Sequence, residues 1–345
     1  MNASGVLGAA VPVLSALLLG GVLLTVLARA WRLHAERRRQ ADHDLVRGRL
    51  LQLLAQGRPG RVRSASSRRQ QDAVLEVTAT LLRKIRGEDR ALLVAVLERD
   101  GLVEAARARS YRRGAVGRAR AASLVGNAGA TRALPELARL LRDRDPQVRS
   151  AAARGLGRLG EPGAAPFLLA ALEEPRPLPA GLVAGALLDL GPATTPALVE
   201  GLRHGTAAAR AVAAELLGLH GALPAAGQLA EVLRDDAEPA VRTAAARALG
   251  RLGSPAAVPG LLAALTGDAA GTVRAAAAAA LGAVGDPRAV EALDAALDEP
   301  DLSVGRAAAR ALTRCGPGGA EAARRRAGAG GTAGEHAAEA LERAA

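Results

Sequence analysis

The stretch DAEPAVRTAAARALGRLGSPAAVPGLLAALTG (Asp236–Gly267) decides how this chain is read. Apolar residues recur at helical spacing on both sides of Gly253-Ser254-Pro255, which gives two short helices joined by a tight turn. Glycine suits the end of the first helix, where a positive φ is wanted. Proline suits the first turn of the second, where its missing N–H would be unpaired in any case. Such a pair cannot bury its apolar faces alone, so copies of it must stack.

The copies are there. A glycine closing the phrase LG-x-x-G, or a degenerate form of it, stands at Gly129, Gly160, Gly191, Gly221, Gly253, Gly285 and Gly316, with spacings of 30 to 32 residues. Eleven positions before it is an arginine in five copies (Arg118, Arg149, Arg210, Arg242, Arg274); Ala180 and Gly305 break that column. Seventeen before it is an acid in five copies: Asp143, Glu174, Asp236, Asp268 and Glu299. Prolines follow it at Pro162, Pro192, Pro224, Pro255, Pro287 and Pro317. An acid ahead of a helix complements the amino-terminal dipole, and the alanine runs let neighbouring helices approach closely. The expected fold is all-α: an α-solenoid of helical hairpins with a period of about 31 residues and about six to seven repeats.

Composition agrees. Half of the 345 residues are apolar, yet Trp31, Tyr111 and Phe167 are the only aromatics, so a core must be built from Leu, Val and Ala. Alanine and leucine are strong helix formers, and the residues that favour strands are scarce. All basic residues but Lys84 are arginine, which reads as the codon bias of a GC-rich bacterial genome. The single cysteine, Cys315, excludes an intramolecular disulfide and a cysteine zinc cluster, and suits a reducing compartment.

The net charge of +12 is uneven, because residues 29–120 carry 23 basic and 10 acidic side chains. Before them, Met1–Ala28 holds no charge, and VLGAAVPVLSALLLGGVLLTVLA (residues 6–28) is long enough as a helix to cross a hydrocarbon core about 30 Å thick. Arg29, Arg32 and Arg37–Arg39 follow with Trp31 at interfacial depth, so the positive-inside rule places residues 1–5 outside and the rest in the cytoplasm. A cleaved signal peptide would need a basic region before the apolar run, and there is none. The expected location is therefore the cytoplasmic membrane, with a single pass.

Residues 29–69 form a basic juxtamembrane helix, periodic over Gln40–Gln56, and a linker, GRPGRVRSASSRR (57–69). The arginines of the Arg29–Arg69 region are placed to meet anionic lipid headgroups, at about 1 kcal/mol each. Ser64, Ser66 and Ser67 lie among them, where phosphorylation would weaken that contact. Residues 70–113 read as three helices (Gln70–Arg86, Glu88–Arg99, Leu102–Arg113) that cap the array, which occupies residues 114–328. Residues 329–345, with Glu335, Glu339, Glu342 and Arg343, read as a polar carboxy-terminal capping helix.

The phrase VR-x-AAA-x-ALG-x-LG-x-P-x-AVP-x-LL-x-AL stands almost whole in Val241–Leu265 and clearly in Val148–Leu172 and Val273–Leu297. It resembles the HEAT repeats, in particular the short alanine-rich PBS-lyase HEAT-like kind. The resemblance implies a curved right-handed superhelix that scaffolds or docks proteins, with the arginine and acid columns pairing between neighbouring repeats. It implies a partner face on the second helices, for which Leu168, Leu172, Leu198, Leu202, Leu229, Leu233, Leu261, Leu265, Leu293 and Leu297 are candidates, although their spacing suits the core better. Specificity is expected where copies depart from the pattern, around Pro175–Gly181 and His204–Arg210.

Catalytic patterns are missing. His34, His43, His204, His220 and His336 form no H-x-x-H or H-E-x-x-H motif. The His-Glu dipeptides of proteins resembling deoxyhypusine hydroxylase are absent, as is a G-x-x-x-x-G-K-[ST] loop. Three aromatics are too few to hold a displaced base, and the basic segment is accounted for by membrane topology, which argues against nucleic acid. The expectation is a membrane-anchored scaffold that binds protein partners at the same membrane, without catalytic residues, cofactor, metal or small-molecule substrate. The alternative is an enzyme or enzyme subunit of the bilin-lyase or metal-dependent hydroxylase sort.

Overall fold

The computed structural model describes the backbone of residues 3–56, 68–82, 84–85, 87–111, 114–129, 133–173 and 175–344. Side chains are described from Gly21 onward, apart from those of residues 22, 39, 68–72, 75, 79, 87, 90 and 109 within these stretches. Among the described residues the chain is helical and has no strand. It divides into two compact units, residues 1–109 and 110–345.

In the first unit α1 (Ala3–Gln56) is one continuous helix, so the periodic segment Gln40–Gln56 continues the apolar segment that precedes it. Val46 and Leu50 of α1 are buried with Val74, Val77 and Leu81 of α2 (Arg68–Leu82) and Leu93, Val96 and Leu97 of α3 (Gly87–Arg99). The helix α4 (Leu102–Arg109) completes the unit. Most of the expected membrane segment, residues 6–20 and Val22, lies outside the described side chains, and the linker with its three serines lies outside the described residues. Among the described residues no single helix is long and apolar enough to cross a membrane.

Two helices of this unit are shorter than their patterns suggest. The helix α2 ends at Leu82, in a turn where the Lys84 N–H donates to the Leu81 carbonyl at 2.8 Å. The helix α4 stops at Arg109, and just past it the Arg139 Nη2 donates to the Ser110 carbonyl at 3.1 Å and to the Ser110 hydroxyl at 3.2 Å. The Arg139 guanidinium also lies 4.2 Å over the Tyr111 ring.

The second unit is a stack of hairpins. Its first helices are α5 (Ala115–Ala128), α7 (Pro146–Leu159), α9 (Ala180–Leu190), α11 (Ala207–Leu219), α13 (Pro239–Leu252), α15 (Gly271–Val284) and α17 (Leu302–Leu312). Its second helices are α6 (Leu134–Leu140), α8 (Ala165–Ala170), α10 (Thr195–His204), α12 (Ala226–Asp235), α14 (Val258–Gly267), α16 (Val290–Ala295) and α18 (Gly316–Ala329), and α19 (Gly331–Ala344) ends the stack. One core of leucine, valine and alanine runs through it from Ala122 to Ala340. The α9–α10 hairpin is apolar and bent by 107°, with Val183, Leu187, Leu198 and Leu202 inside that core.

The turn chemistry is that of the repeat pattern. All seven closing glycines have positive φ, between 64° and 77°, a region that costs a side-chain-bearing residue but not glycine. The prolines act one step earlier than expected: Pro162, Pro192, Pro255 and Pro287 each open a three-residue 3₁₀ turn that leads into the second α-helix. A proline tolerates that position for the same reason it tolerates a first α turn, since no N–H is needed.

Candidate partner-binding surface

What the stack consumes must be separated from what it leaves free. Along the first helices, a glycine stands three positions before five of the closing glycines and is pressed against the backbone of the next first helix. A Cβ on Gly218 would lie 2.6 Å from the Ala248 Cα, one on Gly250 2.8 Å from the Ala280 Cα, and one on Gly282 2.5 Å from the Ala311 Cα. Gly126 meets Gly155 and Gly157 meets Ala186 in the same way. Only glycine permits this approach, and the alanines facing it seal the contact. The repeated phrase LG-x-x-G contains this glycine as its first, but a sequence pattern does not say which of two glycines is crowded.

The arginine and acid columns form a ladder between neighbouring repeats. Arg118 grips Asp143 with Nε–Oδ2 and Nη2–Oδ1 at 2.7 and 2.8 Å, and Arg242 grips Asp268 at 2.7 and 2.8 Å. Arg210 holds Asp236 at 2.6 and 2.9 Å, and Arg274 holds Glu299 at 3.0 Å. Four arginines of the column also donate back to their own entry loop: Arg149 to the Asp143 carbonyl, Arg210 to the Gly205 carbonyl, Arg242 to the Asp236 carbonyl and Arg274 to the Asp268 carbonyl, at 2.8 to 3.0 Å. The acids in turn accept the backbone N–H two residues on, from Asp145, Glu238 and Ala270, each at 2.9 Å. They therefore bind the previous repeat, as the resemblance implies, and also shape the loop ahead of the helix, which is more than the dipole role read from sequence. The guanidinium hydrogen bonds hold the Asp143 and Asp268 carboxyls below their usual range. These paired charges are structural.

The ten candidate leucines are all buried and belong to the core. Their second-helix spacing aims them at the first helices, not outward, so they offer no surface. Pro175–Gly181 and His204–Arg210 do depart from the repeat: Pro175–Pro177 are exposed, and the His204 ring reaches only Glu200, at 3.7 Å.

What remains outward on or just past the second helices is mixed, with the apolar Phe167 among it. Exposed carboxylates stand at Glu173, Glu200, Glu231, Asp235, Glu291, Asp298 and Glu321, and exposed arginines at Arg139, Arg142, Arg203, Arg234, Arg288, Arg324 and Arg325; none takes part in the ladder. The outward side of the first helices is mostly arginine: Arg154, Arg247, Arg251, Arg306 and Arg310 are exposed there, against Asp189 and Glu215. The array thus presents an arginine-rich side and a side of mixed charge.

The remaining reactive groups are placed as packing. Cys315 is buried and desolvation pushes its thiol up. His220 finds no partner for either ring nitrogen, and burial holds its pKa below the usual histidine value. His336 is buried against Gly305. Among the described residues no group of three or more His, Cys, Asp or Glu is arranged to hold a metal ion.

A family model described as HEAT repeats matches residues 100–187, 195–282 and 258–325. The first two matches leave out residues 188–194. No curated protein matches the chain. Among solved structures it is similar to human deoxyhypusine hydroxylase in complex with glycerol, at 24% identity over 71% of this chain and 96% of that one, TM-score 0.32. It is also similar to the complex of CpcE and CpcF of phycocyanin lyase from Nostoc sp., at 22% identity over 72% and 92%, TM-score 0.27. Kap121p matches at 12% identity and TM-score 0.43, and there the chain covers 39% of the neighbour.

Proposed function

The chain belongs to the HEAT-repeat family, and on that premise we propose that it is a scaffold whose array binds partner proteins and is held at the cytoplasmic membrane by residues 6–28. The observation that carries the binding reading is the outward side of the second helices. Glu173, Glu200, Glu231 and Glu291 are exposed on or just past those helices and outside the ladder, while the stack is already held by other residues. Side chains that a fold does not use, spread over several repeats, offer many shallow contacts. A protein partner with basic residues on its docking face fits those carboxylates.

The anchor rests on the uncharged run before Arg29 and on the basic collar after it. In this reading the N-terminus is outside, the Arg29–Arg69 region lies along anionic headgroups, and residues 70–113 and 329–345 cap the array at its two ends. The partner stands at the same membrane. The role is non-catalytic, with no nucleic acid, cofactor or small-molecule substrate.

The test is co-purification from detergent-solubilised membranes. A chain carrying Glu173→Lys, Glu231→Lys and Glu291→Lys is expected to lose its partners about tenfold, while Arg154→Glu with Arg247→Glu keeps them. Equal recovery by both variants would contradict the assignment of the binding side. Recovery of the wild-type chain in the soluble fraction after high salt would contradict the anchor, and stoichiometric iron or a chromophore in the purified protein would contradict the non-catalytic reading.

A further inference from the structure

Six junctions join the first helices from α5 to α17, and one of them is built differently. At α5/α7, α7/α9, α11/α13, α13/α15 and α15/α17 a glycine is pressed onto the next helix: Gly126, Gly157, Gly218, Gly250 and Gly282. An arginine stands ready at each, and Arg118, Arg210, Arg242 and Arg274 hold an acid of the following repeat. At α9/α11 all three parts are replaced at once. Leu188 occupies the glycine column, Ala180 the arginine column and His204 the acid column.

The structure shows the consequence. A leucine cannot enter a contact where even a Cβ does not fit, and Leu188 is 49% exposed, as is Leu219 on the facing helix. The His204 side chain is 77% exposed and reaches no arginine of the preceding repeat. The closing glycine of α9 is also of a different kind: Gly191 has ψ −170°, whereas Gly160, Gly253 and Gly285 have ψ between 13° and 22° in the left-handed region. On the second-helix side the same junction stays closed, because Leu198, Leu202 and Leu229 are fully buried or nearly so.

We infer that the α9/α11 junction is a hinge that divides the array into two blocks, α5–α10 and α11–α19, which open and close on the first-helix side about the packed second helices. Close-packed interfaces deform little, so motion concentrates where dry contact and bidentate pairing are both missing. At the other junctions an opening would separate a glycine–alanine seam and, at four of them, an arginine–acid pair. At this one it separates neither. The inference goes beyond partner binding and holds whichever partner occupies the array.

The test is a pair of distance distributions from spin labels on the full chain in detergent. Arg154→Cys with Arg247→Cys spans three first-helix steps from α7 to α13 and crosses the junction. Glu215→Cys with Arg310→Cys spans three steps from α11 to α17 and does not. All four residues are exposed and occupy the same column of the repeat, and buried Cys315 is blanked by labelling the wild-type chain. The crossing pair is expected to give a distribution about twofold wider than the internal pair, and adding Ala180→Arg, Leu188→Gly and His204→Asp is expected to narrow it to the internal width. Equal widths in the otherwise native chain would overturn the hinge, and that comparison needs only surface substitutions. A rebuilt junction that folds but leaves the width unchanged would overturn its assignment to these three positions.

Discussion

Two glycines separated by three positions carry different loads, and substitution separates them from a third kind. Gly250→Val forces side-chain atoms into the backbone of α15, a Cβ there already lying 2.8 Å from the Ala280 Cα; it is expected to cost about 1–3 kcal/mol in urea denaturation. Gly260→Ala, in a helix with nothing within 4 Å of the added Cβ, is expected to be neutral or to gain up to about 1 kcal/mol. The ladder is tested by pH. Asp268 has its pKa held down by Arg242, so its contribution is complete above the unfolded carboxylate value and is lost as pH falls through the folded one. Asp268→Asn is therefore expected to cost about 2 kcal/mol at neutral pH, with the gap to wild type closing as the solution is acidified below about pH 4. The columns themselves were legible in the sequence, because a ladder repeats its residues at the repeat spacing. That the acid binds backward to the previous arginine and forward to its own loop is a matter of three-dimensional proximity, which spacing alone does not carry.

At the scale of the element, helix ends followed local chemistry. Positive-φ glycines closed the first helices as the pattern requires, and the Asp145 side chain accepts the N–H groups of Gln147 and Val148 at the start of α7. Asp145→Ala is expected to cost about 1 kcal/mol, read from the same denaturation curves. The helix α4 ends at Arg109, short of the Arg113 its pattern suggests, and the Ser110 carbonyl just past it accepts from Arg139, 29 residues away. The ten second-helix leucines were legible: their periodicity marks an apolar stripe that suits the core better than a partner face, and all ten are inside the core. The proposed binding surface is instead the exposed complement of that stripe, which reads in sequence as ordinary solvated residues.

At the scale of the whole molecule, repetition does the structural work and interruption marks the rest. The array's core is one uninterrupted assembly of small and aliphatic side chains, so its stability is a sum over junctions. The stacked repeats, with exposed side chains the stack does not use, fit the proposed role of presenting a binding surface. The family and the stacked architecture could be read directly from the period. The partner could not, because shallow contacts spread over several repeats leave no local motif. The most direct test is therefore to purify the detergent-solubilised full chain and a chain lacking residues 114–328 side by side, and to compare what accompanies each. Loss of the specific partners with the array is the predicted result; recovery of the same partners without it would contradict the account.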